Sequence, residues 1–576
     1  MIFELFVIWK GMVEAMKQNV IISIDRAKFP EEVGVSSKAV AAFIEDLNES
    51  GIEAHSLMIL RRGKVAFERW AEPLGPDFPH IMYSVSKSVT ATAIGFAVEE
   101  GLLSLQTRLV DVFPEYKPKK PDPNLEKLTV YHLLTMTAGK DVPTLSDKSK
   151  NRWIQDFFDA KWAFEPGNFW RYISENTFML CAMLTRVSGM SVTEYLTPRL
   201  FEPLGFGRVP FWEKDGYGME AGGWGMYLKT EELAKFMLCC QQGGVFNGKQ
   251  VIPAGWVKEA VKKQVENLQY DDIPSTCGYG YGFWRNPVPN SYRADGLFSQ
   301  FGMVFEDQQA CLVMTANEIF EDKARECVFR HFPGVFIEPA AKKPKDAPSV
   351  EQLELKSLPN LAPRPHSRLE KKIDGKIMKI NSKILLEKAG LPVSMIMAPV
   401  LQMNFERPGE IKEARFRFLG DVCEMTWREG LFKNTIECGM DGQPRFSKMR
   451  LSQFEFTACS TAAWENENTL CIWMRPLEAI GQRRIRFVFS GDKVTVYPGG
   501  VPDGESTMKY LAGFVGYFVK PAFIVKAAKL LLAKGRKAVE PKHRGVVKIT
   551  GTGNDIRQYS EAGVDRDNKY GGVVCG

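Results

Sequence analysis

The chain has 576 residues, of which 45% are hydrophobic and 25% charged, and its formal net charge is +6. Those proportions belong to an ordinary globular protein with room for two or three domains; they speak against a disordered chain and against a membrane bundle. Basic residues are scattered rather than massed, so nucleic acid is not an expected partner.

Eleven cysteines are present, an odd number with no regular spacing. Several, including Cys311, Cys423 and Cys471, sit in apolar strand-like runs, and no CxxC pair or Cys/His cluster has zinc spacing. Buried free thiols are expected, with no metal or cofactor. Met1 to Trp9 is apolar but contains Glu4, lacks a basic leader and is too short to span a membrane. A cytoplasmic location is the expectation.

In chain order, residues 1–29 read as an N-terminal extension. Ser56–Leu60 and Val65–Trp70 predict two strands joined by Arg62-Gly63, and a helix starts near Ser84 and ends before Gly101. Leu128–Leu134, Thr177–Val187 and Glu231–Cys239 have helical apolar spacing; Gly280–Trp284, Met303–Phe305 and Ala310–Ala316 read as strands. Strands at both ends with helices between them predict one α/β domain over 30–339. Residues 340–365, rich in Pro, Lys and Ala, read as a linker.

Beyond the linker the pattern turns to β. Ala414–Leu419, Val422–Trp427, Thr469–Met474, Ile485–Phe489 and Val494–Tyr497 predict a small antiparallel barrel or sandwich over 366–516. Residues 517–540 read as a basic amphipathic helix, with lysines around an apolar stripe at 519–537. A solvated face packed on the body is favoured there over a membrane surface. A polar, Gly-rich tail is expected over 541–576.

The chemistry concentrates at Ser84 and Lys87. A serine hydroxyl is a weak nucleophile until a base takes its proton. Residues three apart share a helix face, so Lys87 can reach Ser84, and burial would lower its pKa enough to make it a base. The spacing alone is common: Ser506 and Lys509 repeat it without an apolar helix or partners.

The neighbours of Ser84 are more specific. The run 79–88, Pro-His-Ile-Met-Tyr-Ser-Val-Ser-Lys-Ser, resembles the nucleophile segment of the beta-lactamase-related serine hydrolases. That superfamily includes class C beta-lactamases, D-alanyl-D-alanine peptidases, family VIII esterases and nylon-oligomer hydrolases. The resemblance is collinear through 101–105, 111–114, 129–139, Pro203-Leu204-Gly205 and Ala221-Gly222-Gly223, and it covers about residues 30–335. It implies an α/β (α+β) beta-lactamase/transpeptidase-like domain: an antiparallel sheet flanked by helices, plus a helical subdomain. The appended β domain is similar to lipocalin-like barrels of relatives.

By the same resemblance, Tyr172 matches the catalytic tyrosine, and Ser174 stands where many members have Asn. Tyr-x-Ser followed by Asn176 is nearer to the nylon-oligomer hydrolase and esterase branches. Ala294-Asp295-Gly296 matches the third motif, with Ala294 in the place of a cation and the three residues bordering the substrate. Arg293 cannot stand in for that cation, because strand neighbours face opposite ways. The backbone N–H groups of Ser84 and Leu297 would form the oxyanion hole.

His132 lies in a block that the family uses as a structural helix. Trp170, Trp224 and Trp284 fit core packing as well as a pocket. The expected activity is acyl transfer from small neutral esters, amides or peptides to water. Its alternatives are a D-alanyl peptidase or beta-lactamase on the same site, disfavoured by Ala294, and a catalytically silent binding homologue.

Overall fold

The computed structural model describes residues 22–141, 153–215, 217–268, 275–356, 360–381, 411–451, 454–501, 503, 505–506 and 542–548. The amphipathic segment at 519–537, most of the tail and most of the N-terminal extension lie outside the described residues. No described helix is long and apolar enough to cross a membrane.

The first domain is built on a six-stranded sheet. Its strands are β1 (Ala54–Arg61), β2 (Lys64–Trp70), β3 (Trp284–Arg285), β4 (Ser291–Gly296), β5 (Gln300–Phe305) and β6 (Ala310–Ala316). Their spatial order is β2-β1-β6-β5-β4-β3, every pairing antiparallel. Both chain ends of the domain therefore meet at the β1–β6 pair, as the sequence pattern anticipates.

Every residue of β1, β4, β5 and β6 is buried, so these strands read as continuous apolar runs. Alternation still sorts their side chains. Leu57, Ile59, Phe301 and Met303 pack with Phe43 and Leu47 of helix α1 (Ser37–Glu49) and Val328 of a C-terminal helix at Glu321–His331. Met58, Leu60, Ala294 and Val304 face the other layer. That layer holds α2 (Val85–Glu99), α3 (Ser174–Ser188) and α4 (Thr230–Gln241).

Helix α2 is the centre of this layer, with Val85 through Ala97 buried on all sides. A helix so enclosed must satisfy its polar side chains internally. Ser88 Oγ donates to the Gly282 carbonyl at 2.6 Å, Thr90 Oγ1 to the Gly222 carbonyl at 3.0 Å, and Ser86 Oγ accepts from Met226 N–H at 3.1 Å. Gly282, at φ +75°, turns the chain onto α2. For that reason the strand expected over Gly280–Trp284 shrinks to Trp284–Arg285.

The ten described cysteines are free, and nine of them are buried. Burial raises the thiol pKa values of those nine, Cys239 to about 12, as suits inert packing residues.

The second domain is a barrel made from an 11-stranded sheet. Its strands are β7 (Ile377–Asn381), β8 (Ile411–Leu419), β9 (Val422–Glu429), β10 (Phe432–Gly439), β11 (Arg445–Leu451), β12 (Phe454–Asn466), β13 (Thr469–Pro476), β14 (Gln482–Ser490), β15 (Lys493–Tyr497), β16 (Gly500–Val501) and β17 (His543–Lys548). The path β10-β9-β8-β7-β17-β15-β14-β13-β12-β11 closes where Gly439 bridges Thr461. Strand β17 falls in the segment expected as tail; instead it fills the gap between β7 and β15.

Residues 340–356 are strapped to the first domain. Ala340 N–H donates to the Glu31 carbonyl at 2.7 Å, Arg69 to the Val350 carbonyl at 2.7 Å, and Asn48 brackets Glu354 and Lys356.

Candidate active site

Ser84 is the residue immediately before α2, and its side chain makes no capping bond to the helix. The hydroxyl is turned instead to Lys87, whose Nζ lies 2.8 Å from Ser84 Oγ. Before it, Tyr83 holds a left-handed φ of +44°. That conformation costs a non-glycine residue about 1–3 kcal/mol and survives only where the surroundings impose it.

Lys87 is 1% exposed. Burial lowers its pKa to about 7, and the nearby Glu175 carboxylate pulls weakly the other way. Its remaining partners are Ser174 Oγ at 3.1 Å and the Gly223 carbonyl at 2.6 Å. A neutral amine has two N–H donors and one lone pair. The Gly223 carbonyl can only accept, so two donated bonds to Ser174 and Gly223 leave the lone pair for the Ser84 proton.

The elements that deliver these partners explain the local sequence. Ser174 is the first residue of α3. A Cβ on Gly223 would crowd the Ser174 carbonyl and side chain, and one on Gly222 would overlap Cys181 Sγ. The Gly-Gly pair thus lets this loop come close enough for its carbonyl to reach Lys87.

Tyr172 lies beside the same amine, with Lys87 Nζ 4.8 Å from its ring centroid. Its ring is set by Trp284 at 5.2 Å, Trp170 at 5.9 Å and Tyr279 at 6.1 Å between centroids. Trp170 and Trp284 are buried members of this cluster and act as its packing. Trp224 stacks on Trp153 in the core. His132 caps its own short helix through Thr129.

Strand β4 brings up the opposite wall. Ala294 is fully buried and shares the α2-side core. A Cβ on Gly296 would stand well inside contact distance of the Met82 carbonyl oxygen, so β4 and the segment leading to Ser84 touch backbone to backbone. Leu297 follows directly, then Phe298 and Ser299 at φ +62° and +65°.

This strained turn is stapled by Gln300, whose Nε2 donates to the carbonyls of Leu297 (3.2 Å), Phe298 (2.9 Å) and Ala316 (2.6 Å). Its Oε1 accepts from Ala316 N–H at 3.1 Å. Gln300, Gly223 and Glu175 have no assigned part in the sequence reading. The available signals were a polar amide opening an apolar strand and a Gly-Gly pair between helices.

Asp295 corrects that reading. Its carboxylate takes a 2.5 Å bond from Arg293 Nε and lies 3.6 Å from Arg325 Nη1, on the face that carries the Glu321–His331 helix. Alternation turns it away from Ser84, as it does Arg293. Only Ala294 and Gly296 of the three residues face helix α2.

Two other polar clusters lie among the described residues. His80 Nε2 meets His55 Nδ1 at 2.9 Å, and His55 Nε2 meets Glu53 at 3.1 Å. Burial, then the neighbouring His55, pushes the His80 pKa down to about 3, so the His80 ring sits neutral at pH 7. Asp46, Cys327 and His331 come together between two helices, but Arg330 already holds both carboxylate oxygens of Asp46.

A six-stranded antiparallel sheet between two helical layers, with a Ser-x-x-Lys pair at the head of the central helix, defines a beta-lactamase/transpeptidase-like domain. Residues 40–326 match the family model described as Beta-lactamase, and this domain belongs to that family.

Among curated relatives, a 6-aminohexanoate-dimer hydrolase from Paenarthrobacter ureafaciens is 26% identical over 40% of this chain and 64% of its own length. Esterase EstB from Burkholderia gladioli is 23% identical over 32% of this chain and 53% of its own. The match thus spans less than two thirds of either relative. An octameric penicillin-binding protein homologue from Pyrococcus abyssi superposes with a TM-score of 0.43 and 17% identity, over 80% of this chain and 97% of that one.

Proposed function

We propose that this chain is a serine hydrolase that cleaves small esters or neutral amides through an acyl-enzyme on Ser84. The observation that carries the proposal is the buried Lys87 amine, 2.8 Å from Ser84 Oγ and with a pKa near 7. In this reading neutral Lys87 takes the Ser84 proton as Oγ bonds to the substrate carbonyl carbon. The carbonyl oxygen becomes an oxyanion held by the backbone N–H groups of Ser84 and Leu297, at the positive end of α2. Collapse expels the leaving group, which takes the proton back from Lys87 by way of Tyr172. Water then attacks the ester on Ser84, Lys87 accepting its proton and returning it to Ser84 Oγ as the Oγ–acyl bond breaks, and the acid product leaves.

Substrate preference in this reading follows from Ala294. A methyl group where relatives carry a cation offers nothing to a substrate carboxylate, so neutral acyl groups are favoured over penicillins and peptidyl D-alanine. Among the curated relatives, the name of esterase EstB agrees with this direction.

The test is a pH–rate profile on a neutral chromogenic ester. Because the base must be neutral, kcat/KM is expected to rise with pH through an apparent pKa of about 7 and level off above it. An amine at the usual lysine value of 10.5 would give a rate still climbing at pH 9. That climb, or faster turnover of nitrocefin than of any ester, would overturn the reading.

A further inference from the structure

The C-terminal barrel does not stand apart from the site. It builds the back wall of the two backbone segments that supply the oxyanion donors. Ile81 N–H donates to the carbonyl of Glu478, in the β13–β14 connection, at 2.9 Å. Ile81 also pairs with Tyr227 in a two-residue sheet, and the Tyr227 ring lies flat on Phe454 of β12, 4.4 Å between centroids and 9° between planes. Phe211 meets the same Phe454 edge-on at 4.8 Å.

The other oxyanion segment is tied to the same core. Tyr83 contacts Phe298 edge-to-face at 5.3 Å, so the residue before Ser84 and the residue after Leu297 touch each other. Ile81, Tyr83, Tyr227, Phe298 and Ile319 are buried in one continuous cluster with the barrel's Phe456, Ala479 and Ile480, and Leu297 packs against it. The barrel side of the contact is firm. Glu478 is 4% exposed, and its carboxylate accepts from both the N–H and the Oγ1 of Thr457 at 2.8 Å.

Three left-handed non-glycine residues, Tyr83, Phe298 and Ser299, cluster here. Such conformations relax unless packing over-determines them. Gln300 restrains the turn from within the first domain. The aromatic face of Tyr83–Phe298, in contrast, is covered by the barrel.

We infer that the barrel is part of the catalytic centre: Phe454 and the Glu478 segment are positioning elements that hold the Met82–Ser84 and Leu297–Phe298 segments at the spacing an oxyanion requires. The inference rests on the serine hydrolase reading and assigns that reaction a determinant outside the family domain. Loss of a positioning role of this kind acts on the chemical step rather than on binding.

The experiment compares the full chain with Phe454→Ala and Phe454→Tyr. Phe454→Ala removes the stack on Tyr227, and Phe454→Tyr preserves it. Steady-state ester hydrolysis is measured together with the rate of covalent labelling by a fluorophosphonate, and circular dichroism and Tm establish that each variant is folded. For Phe454→Ala, kcat and the labelling rate are expected to fall at least tenfold with KM within threefold. Phe454→Tyr is expected to restore both. Glu478→Ala, which frees the same segment from Thr457, serves as the second variant should Phe454→Ala not fold, with the same expected loss.

A folded Phe454→Ala protein that hydrolyses and labels at the rate of the unaltered chain overturns the inference alone. A change confined to KM does so as well. If the unaltered chain takes no label at Ser84, the hydrolase reading falls, and this inference with it.

Discussion

Replacing Lys87 with Met is expected to lower kcat/KM for a neutral ester about 10³-fold while the protein stays folded. A positioned general base contributes about 10²–10⁴-fold, so the loss corresponds to about 4 kcal/mol of transition-state stabilisation. Ser174 and Gly223, which also meet the Lys87 amine, are neutral and cannot take its place as the base.

Stability should move differently. Lys87 has its pKa lowered on folding, so between about 7 and 10.5 the unfolded chain holds a proton that the folded chain has released. Stability therefore rises with pH across that window, and a buried ammonium at lower pH is a burden on the fold. Methionine removes the burden, keeps most of the stem and leaves the Gly223 carbonyl without its donor, a cost of about 1–3 kcal/mol. These effects oppose one another, and Tm at pH 7 is expected to hold within a few degrees. A large activity loss at nearly constant Tm separates a reacting group from a packing one.

Gly296→Ala is the second large effect. Its backbone lies directly against the Met82 carbonyl oxygen, and an added Cβ has no room there. The obstruction is main chain on both sides, so relief requires β4 and the Met82–Ser84 segment to separate by a substantial fraction of an ångström. Misplacing reacting groups by about 1 Å costs about 10²-fold in rate. A loss of this size in kcat, with KM changed little, is therefore expected. Gly255→Ala, at a position with open space around it, provides the control and is expected to leave kcat unchanged.

Much of this architecture was legible because it is local or periodic. The Arg62-Gly63 turn, the apolar run of α2 and the Ala310–Ala316 strand each declare themselves within ten residues. Family blocks placed Ser84, Lys87, Tyr172 and Ala294 in order, and the structure brings the first three together around one amine.

What was not legible depends on partners distant in sequence. Strand β17, His-Arg-Gly-Val-Val-Lys, has a weak apolar signal and exists because β7 and β15 leave a place for it. Gln300 is an unremarkable amide until its three carbonyl acceptors are assembled by a turn. Asp295 was assigned to the substrate side although the alternation argument that removed Arg293 applies to it equally. The contact between Phe454 and Tyr227 leaves no trace in periodicity, since a stacked ring and a solvent-facing one have the same spacing along a strand.

The most direct test of the central claim is mass spectrometry of the protein after exposure to a fluorophosphonate. The account predicts one covalent adduct on the full-length chain, mapped by proteolysis to the peptide containing Ser84, and none on Ser84→Ala, whose folding and Tm are unchanged. An adduct on Ser84→Ala at the unaltered rate, or a single adduct mapped to another residue of the native chain, would contradict it.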